Sequence, residues 1–202
     1  MIITITRHAQ TDGNVKKQYV GSTDMPINQQ GAQQAAQGCI NPAVQRVYVT
    51  PLQRTQQTAR IQYPAARQVV VPGLQEMNFG IFEGYTHAEL EQTPAYQRWL
   101  LDGGMQPMQD GEGRAGFAVR VSTALQQLIH EAHQRHEQHL YIVSHGGAIM
   151  ALMAAHALPE QTYDKWWVEN LQGYRLHLDA ASWHPGSKFA QVERVDLSLP
   201  AG

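Results

Sequence analysis

One cysteine, Cys39, is all the thiol this chain has, so no intrachain disulfide can form and a reducing compartment is the expectation. Cys39 itself reads as a small apolar residue rather than a redox-sensitive thiol. Long hydrophobic runs are missing too. No stretch approaches the roughly 20 apolar residues of a membrane span. The opening apolar run is too short, and lacks the basic flank, to be a secretion signal. A cytoplasmic protein with no membrane partner is expected. Nor is there an excess of one charge: 15 Lys and Arg against 17 Asp and Glu leave a net charge of −2. That removes the global basic field of a nucleic-acid binder. No repeat or linker divides the 202 residues, so residues 1–202 read as a single domain. A hydrophobic fraction of 43% is enough for a core. Glutamine is frequent but dispersed through helical segments, which reads as solvated helix surface.

Against that background, strands and helices alternate. Ile2-Ile3-Thr4-Ile5-Thr6 reads as a buried strand, as does 47–50, and 69–71 and 140–143 read as a third and a fourth strand. Thr50-Pro51-Leu52-Gln53 predicts a helix start with Thr50 as cap and Pro51 in the first turn. A second helix is expected over 148–157, and a long one over 113–137, whose Phe117, Val121, Leu125, Leu128 and Ala132 make one core-facing stripe. Two late strands, 174–179 and 188–195, flank a Pro185-Gly186 turn. The pattern predicts an α/β fold, a three-layer α/β/α sandwich whose mostly parallel sheet carries an antiparallel strand at one edge. The stretch 77–113 stands apart: six glycines after Phe79, with Pro94, Pro107, Phe82, Tyr85, Tyr96 and Trp99, read as a substrate-covering excursion. Thr86 and Glu89 predict a capping box within it.

Ligands of open α/β sheets bind beyond the carboxyl ends of the strands. There the first strand places Arg7-His8, the fourth places His145-Gly146, and the helix after the second presents Arg54. Guanidinium forks match tetrahedral oxyanions, and helix N-termini add N–H donors. The prediction is an oxyanion pocket holding two imidazoles. Glu76, just past the third strand, is placed to supply a proton if burial raises its pKa. Glu83 reads as a structural carboxylate capping the loop.

These residues resemble the histidine phosphatase superfamily, in its cofactor-independent, phosphoglycerate-mutase-like branch. Arg7-His8-Ala9-Gln10-Thr11 with Asn14 resembles the R-H-G motif. Thr50-Pro51-Leu52-Gln53-Arg54-Thr55, with Thr58-Ala59, resembles S-P-L-x-R-A-x-x-T-A. Glu76 through Gly84 resembles E-x-x-x-G-x-x-E-G, and Ser144-His145-Gly146-Gly147 resembles S-H-G-G. Four motifs in order imply the phosphoglycerate-mutase-like fold. They also imply His8 as nucleophile, Arg7, Arg54 and His145 as phosphoryl ligands, and Glu76 as proton donor and later base. Asn14, Gly21 and Gly146 match positions that line the phosphate and substrate site. No metal and no cofactor is implied, since phosphoryl transfer rests on positioning and charge stabilisation. Two departures stand out: Ala9 replaces the usual Gly, and Gln10 the frequent Glu.

The resemblance implies a phosphatase for a small-molecule phosphomonoester, α-ribazole-phosphatase-like or of broad specificity. Met77 follows Glu76 where the mutases carry Arg, and Arg98 is the only Lys or Arg in 77–113. A mutase or phosphotransferase, and a non-catalytic phospholigand-binding module, are the alternatives. His130, His133, His136 and His139, at spacing three, lag one another by about 60° on a helix and so do not share a face; no metal site is expected there. Trp166-Trp167 reads as core or interface packing. With the late hairpin edge it offers a surface for a homodimer.

Overall fold

The computed structural model describes residues 1–200. Among them, six strands form one sheet: β1 (Ile2–Arg7), β2 (Arg46–Val49), β3 (Arg67–Val70), β4 (His139–Ser144), β5 (Gln172–His177) and β6 (Gln191–Asp196), in the order β3-β2-β4-β1-β5-β6. Seven α-helices accompany them: α1 (Asp12–Val15), α2 (Gln29–Gln37), α3 (Gln53–Gln62), α4 (His87–Leu90), α5 (Pro94–Leu101), α6 (Arg114–Gln134) and α7 (Gly146–His156). β3, β2, β4 and β1 run parallel, while β5 and β6 are antiparallel. The late hairpin therefore adds two antiparallel strands, the inner one paired directly with β1.

Side-chain alternation along the strands divides the core between two faces. Ile3 and Ile5 of β1, with Leu140 and Ile142 opposite them, join Leu125, Leu128 and Ile129 of α6 and Ile149 of α7 in the larger cluster. Val47, Val49 and Val143 point the other way and pack with Ala59 and Tyr63 around α3. The expected α6 stripe is buried throughout. α7 is apolar nearly all round, and eight of its eleven residues are buried, as befits a helix enclosed by α6, the sheet and the short 3-10 turn Tyr163–Trp166.

Two local expectations change. First, α3 starts at Gln53 with Leu52 as cap residue and no side-chain cap bond. The Thr50 hydroxyl is engaged elsewhere, 3.1 Å from the Thr55 hydroxyl and 3.0 Å from His145 Nε2. Second, α6 ends at Gln134 rather than 137, because His136 takes a left-handed φ of 58°. Its N–H donates to His133 and that of Glu137 to Ala132, the paired closure of a Schellman turn. Glycine usually marks such a stop, and histidine gave no such signal. His139 lies in β4, so the four histidines do not share a helix. The 77–113 excursion carries regular structure. It holds α4, α5 and the short turn Gly80–Phe82, and both bonds of the Thr86–Glu89 capping box are made. Phe82 and Tyr96 are buried, with Tyr19, Phe79 and Trp99 packed around them at centroid separations of 5.0–6.0 Å.

Leu125 and Val119 of α6 give a paired test: Leu125 is 1% exposed and Val119 67% exposed. Leu125→Ala is expected to cost about 2–5 kcal/mol in urea unfolding, while Val119→Ala changes stability by no more than about 0.5 kcal/mol. Equal losses would mean that α6 does not face the core as described.

Candidate active site

The parallel register pairs Arg7 with Ser144, so β1 and β4 end side by side. The next residue of each, His8 and His145, face each other edge-on with ring centroids 5.3 Å apart. Both are buried, at 4% and 0% exposure. Arg54, 1% exposed, approaches from the first turn of α3. The sheet thus brings together the residues that sequence spacing placed at its strand ends.

His8 Nδ1 lies 2.7 Å from the carbonyl of Ala9. A carbonyl only accepts, so Nδ1 carries the proton and Nε2 of the neutral ring keeps its lone pair. Burial holds the His8 pKa well below the ordinary histidine range, and the charges of Arg54 and Arg7 push it the same way against the Ala9 bond. Ala9 itself is fully buried, packed with Ala35 and Leu171. Its methyl faces the α2 side of the sheet, which explains how the usual glycine is replaced without crowding a ligand.

Arg54 is solvated by backbone rather than by carboxylates. Its Nη1 donates to Thr23 O at 2.8 Å and Nη2 to Gly21 O at 2.7 Å, while Nε donates to His145 Nδ1 at 3.3 Å. With Nδ1 accepting, Nε2 of the neutral ring is the nitrogen that donates to Thr50. Both nitrogens of His145 are therefore occupied, and the ring braces Arg54. Burial holds the His145 pKa well below the ordinary histidine range, with Arg54 and His8 adding to it. Gly21 contributes its carbonyl to Arg54 rather than lining the cavity. The loop carrying it is fixed by Glu83, whose carboxylate accepts from the N–H groups of Gly21, Ser22, Thr23 and Phe79. Glu83 is the structural carboxylate that its position suggested.

Arg7 donates from Nη1 to Val168 O at 3.0 Å and stacks on the Trp167 ring at 4.8 Å, and its buried Nε has no protein partner. The tryptophan pair splits. Trp166 is core, packed against Tyr174, but Trp167 is 46% exposed and lines the cavity.

The cavity, about 800 Å³, is lined by Arg7, His8, Asn14, Glu76 and Gly146 among others, with Tyr19, Phe79, Trp99 and Tyr163 as aromatic wall. Asn14 Oδ1 accepts from Thr11 N and Asn170 Nδ2, tying α1 to the loop that leads into β5. Glu76 accepts from its neighbour Met77 N at 2.9 Å and from Gly147 N, in the first turn of α7, at 2.8 Å. Burial raises its pKa, outweighing those two N–H groups and the charges of Arg54 and Arg7. A Cβ on Gly147 would collide with the Glu76 carboxylate. Gly147 thus seats Glu76 in two ways, a role sequence reading missed although the second glycine of S-H-G-G marks it. Arg114 was also missed, one residue beyond the stretch in which cations were counted. It lines the cavity, stacks on Tyr163 at 4.0 Å and donates to Gly103 O. Among the described residues, no group of three or more His, Cys, Asp or Glu is disposed to hold a metal ion.

A neutral imidazole, the Arg7 guanidinium and a carboxyl with raised pKa line one cavity, and Arg54, outside that lining, is near enough to act on His8; such a set can transfer a phosphoryl group. Known proteins agree with that geometry. The chain is 30% identical over 162 residues to the adenosylcobalamin/alpha-ribazole phosphatase of Escherichia coli, covering 76% of this chain and 78% of that one. It is 32% identical over 161 residues to a probable phosphoglycerate mutase of Proteus mirabilis, covering 75% and 73%. In fold it matches the crystal structure of a putative alpha-ribazole-5'-P phosphatase from Escherichia coli, with TM-score 0.84 at 23% identity over 100% of this chain and 98% of that one. The family profile of the histidine phosphatase superfamily, branch 1, matches residues 3–187, and the chain belongs to that family.

Proposed function

We propose that this protein is a phosphomonoester hydrolase acting on a small-molecule phosphate through a phosphohistidine. The observation that carries the reading is the His8 Nδ1–Ala9 bond, which leaves Nε2 as a nucleophile beside Arg7 and Arg54. His8 Nε2 attacks phosphorus, an N–P bond forms and the P–O bond to the leaving group breaks. Glu76, whose acid form burial extends to higher pH, gives its proton to the departing oxygen. Arg7 and Arg54 take up the charge on the equatorial oxygens, with Asn14 and the N–H end of α7 at Gly146 completing the phosphate cradle. The Glu76 carboxylate then draws a proton from water, which attacks phosphorus, releases inorganic phosphate and restores His8. His145 serves by holding Arg54. The charge that stabilises the transition state comes from guanidinium groups, so no metal is called for. We place the reaction in the cytoplasm, without nucleic-acid partner.

Relatives named as phosphatase and as probable mutase both align, so residues decide. Met77 offers no charge where mutases grip a second anionic group. Arg114 and Lys17 favour a phosphotransferase or mutase, since they bring further cations to the cavity wall. Arg114 stacks on Tyr163 and donates to Gly103 O, and neither cation replaces the arginine that mutases carry at the Met77 position, which supports hydrolysis. Product analysis with phosphoglycerates separates the two: a transferred phosphoryl group, rather than free phosphate, would replace hydrolysis with transfer.

Phosphate release from an aryl phosphate is expected to survive EDTA and to fall by at least about 10⁴-fold in His8→Ala, with the fold intact by circular dichroism. Retained turnover in that variant would remove His8 as nucleophile.

For an alkyl phosphate, kcat/KM should fall toward low pH as His8 gains its proton, at a midpoint below the ordinary histidine value of about 6.5. It should fall toward high pH as Glu76 loses its proton, at a midpoint above the ordinary glutamate value of about 4.3. Glu76→Gln on the same substrate should abolish the high-pH fall; a fall that persists in it would mean that another group donates the proton.

Gly147→Ala is expected to push the Glu76 carboxylate aside and lower kcat/KM for the alkyl ester by about 10²-fold, the scale of a 1 Å misplacement. Its thermal midpoint should change little, because alanine is the better helix former. Unchanged activity would show that the carboxylate does not need the seat described.

A further inference from the structure

Glu76 does not sit on a strand or a regular helix. It follows the short 3-10 turn Pro72–Leu74, in a segment whose carbonyls have no helix to satisfy them. Those carbonyls nevertheless all have donors. The Ser144 hydroxyl donates to Leu74 O at 2.9 Å. The other three converge on one guanidinium. Arg120 Nη1 donates to Gly73 O at 3.1 Å and to Gln75 O at 3.2 Å, and Nη2 donates to Glu76 O at 3.3 Å. The same group holds Glu112 through two parallel bonds, Nε to Oε1 at 2.7 Å and Nη2 to Oε2 at 2.6 Å. Glu112 Oε2 in turn accepts from Asn78 N at 3.0 Å, and its own N–H donates to Asn78 O at 2.8 Å. The chain is therefore gripped before Glu76, at Glu76 and two residues after it, from the second turn of α6.

We propose that Arg120, locked by Glu112, is a positioning residue that fixes where Glu76 delivers its proton. The inference rests on the reading of Glu76 as the proton donor. Arg120 reaches Glu76 through its backbone carbonyl and makes no contact with its carboxylate, which is held by Met77 and Gly147 instead. Its work is geometric, because proton transfer needs the donor within hydrogen-bond reach of the leaving oxygen. Only a planar fork with five donors can serve three carbonyls and a bidentate carboxylate at once. Lysine, a point charge with three donors, cannot. Gly73 belongs to the same design: a Cβ there would run into Ala124, so glycine lets the turn lie close on α6 beneath Arg120.

The position of a proton donor can be read by its leaving group. Nitrophenolate departs without a proton at neutral pH, whereas an alkoxide needs one. The measure is kcat/KM, which stops at leaving-group departure and so excludes the later activation of water. Arg120→Lys and Glu112→Gln are each made in the wild-type and in the Glu76→Gln background. Each is assayed on an alkyl phosphate and on p-nitrophenyl phosphate. Either variant alone is expected to lose about 10- to 100-fold on the alkyl ester, the scale of a misplaced catalytic group, and less than about threefold on the aryl ester. In the Glu76→Gln background neither should lose more on the alkyl ester, because the group it positions is gone. The two substitutions break the clamp from opposite sides, so a folding defect in one leaves the other to report. Equal losses on both esters, or a further alkyl loss in the Glu76→Gln background, would overturn the proposal while the role of Glu76 stands. Equal losses on both esters in Glu76→Gln itself would overturn Glu76 as proton donor, and the proposal with it.

Discussion

Much of this structure is arranged around guanidinium groups that backbone carbonyls keep company, two of them, Arg7 and Arg54, buried and without a carboxylate in contact among the described residues. Arg54 has Gly21 O and Thr23 O, Arg7 has Val168 O, and Arg120 has three carbonyls as well as Glu112. A carboxylate directly on Arg54 would neutralise the charge a phosphate needs. A carbonyl solvates the cation in place of water without cancelling its charge. The cost of that choice is a set of loops that must hold their carbonyls still. Glu83 does this for the loop at 21–23 with a fan of N–H bonds, which draws its own pKa below the usual range despite partial burial. The same positive field has a second use, since it adds to burial in keeping His8 neutral.

The two carboxylates of the 76–84 segment show how environment sets role. Glu83 accepts from four backbone N–H groups and the Thr23 hydroxyl, so its ionised form is the stable one. Glu76 accepts from only two N–H groups, so burial prevails and its acid form extends to higher pH. Seven residues apart in one loop, they are driven in opposite directions. That divergence is the strongest physical reason for treating Glu76, and not Glu83, as the proton donor.

The alternation of strands and helices was legible in the sequence because each follows from a local period. Arg7, His8, Arg54 and His145 were legible as well, because strand ends in a parallel sheet must converge. What escaped was carried by backbone atoms and by distance. Gly147 matters through an N–H and a missing methyl. Arg120 matters through carbonyls some 45 residues away, which leave no pattern in its own helix. Thr50 looked like a helix cap by local rules, yet its hydroxyl serves His145, 95 residues on. His136 ends α6 in a conformation that local rules assign to glycine. Trp167, paired in sequence with a core tryptophan, turns out to cover Arg7. In each case a tertiary partner replaced the local one that the sequence pattern assumed.

Phosphate recognition and leaving-group recognition are physically separable here. The first is built on strand ends and helix starts, where neighbouring elements fix every atom. The second falls to the wall formed by Tyr19, Phe79, Trp99 and Tyr163, much of it from the 77–113 excursion. Tyr19 packs against Phe79, Tyr96 and Trp99, so the wall is a joint structure of the first loop and the excursion. Glu83 fastens those two pieces to each other, through Gly21, Ser22 and Thr23 on one side and Phe79 on the other. Substitutions in the wall can therefore change which phosphomonoester fits while leaving the charges around His8 in place. Substitutions at Glu83 cannot do so, because one carboxylate holds both the loop that grips Arg54 and the loop that shapes the cavity. The chemistry is thus fixed where the backbone is most constrained, and the substrate is chosen by side chains that the same constraint leaves free to differ.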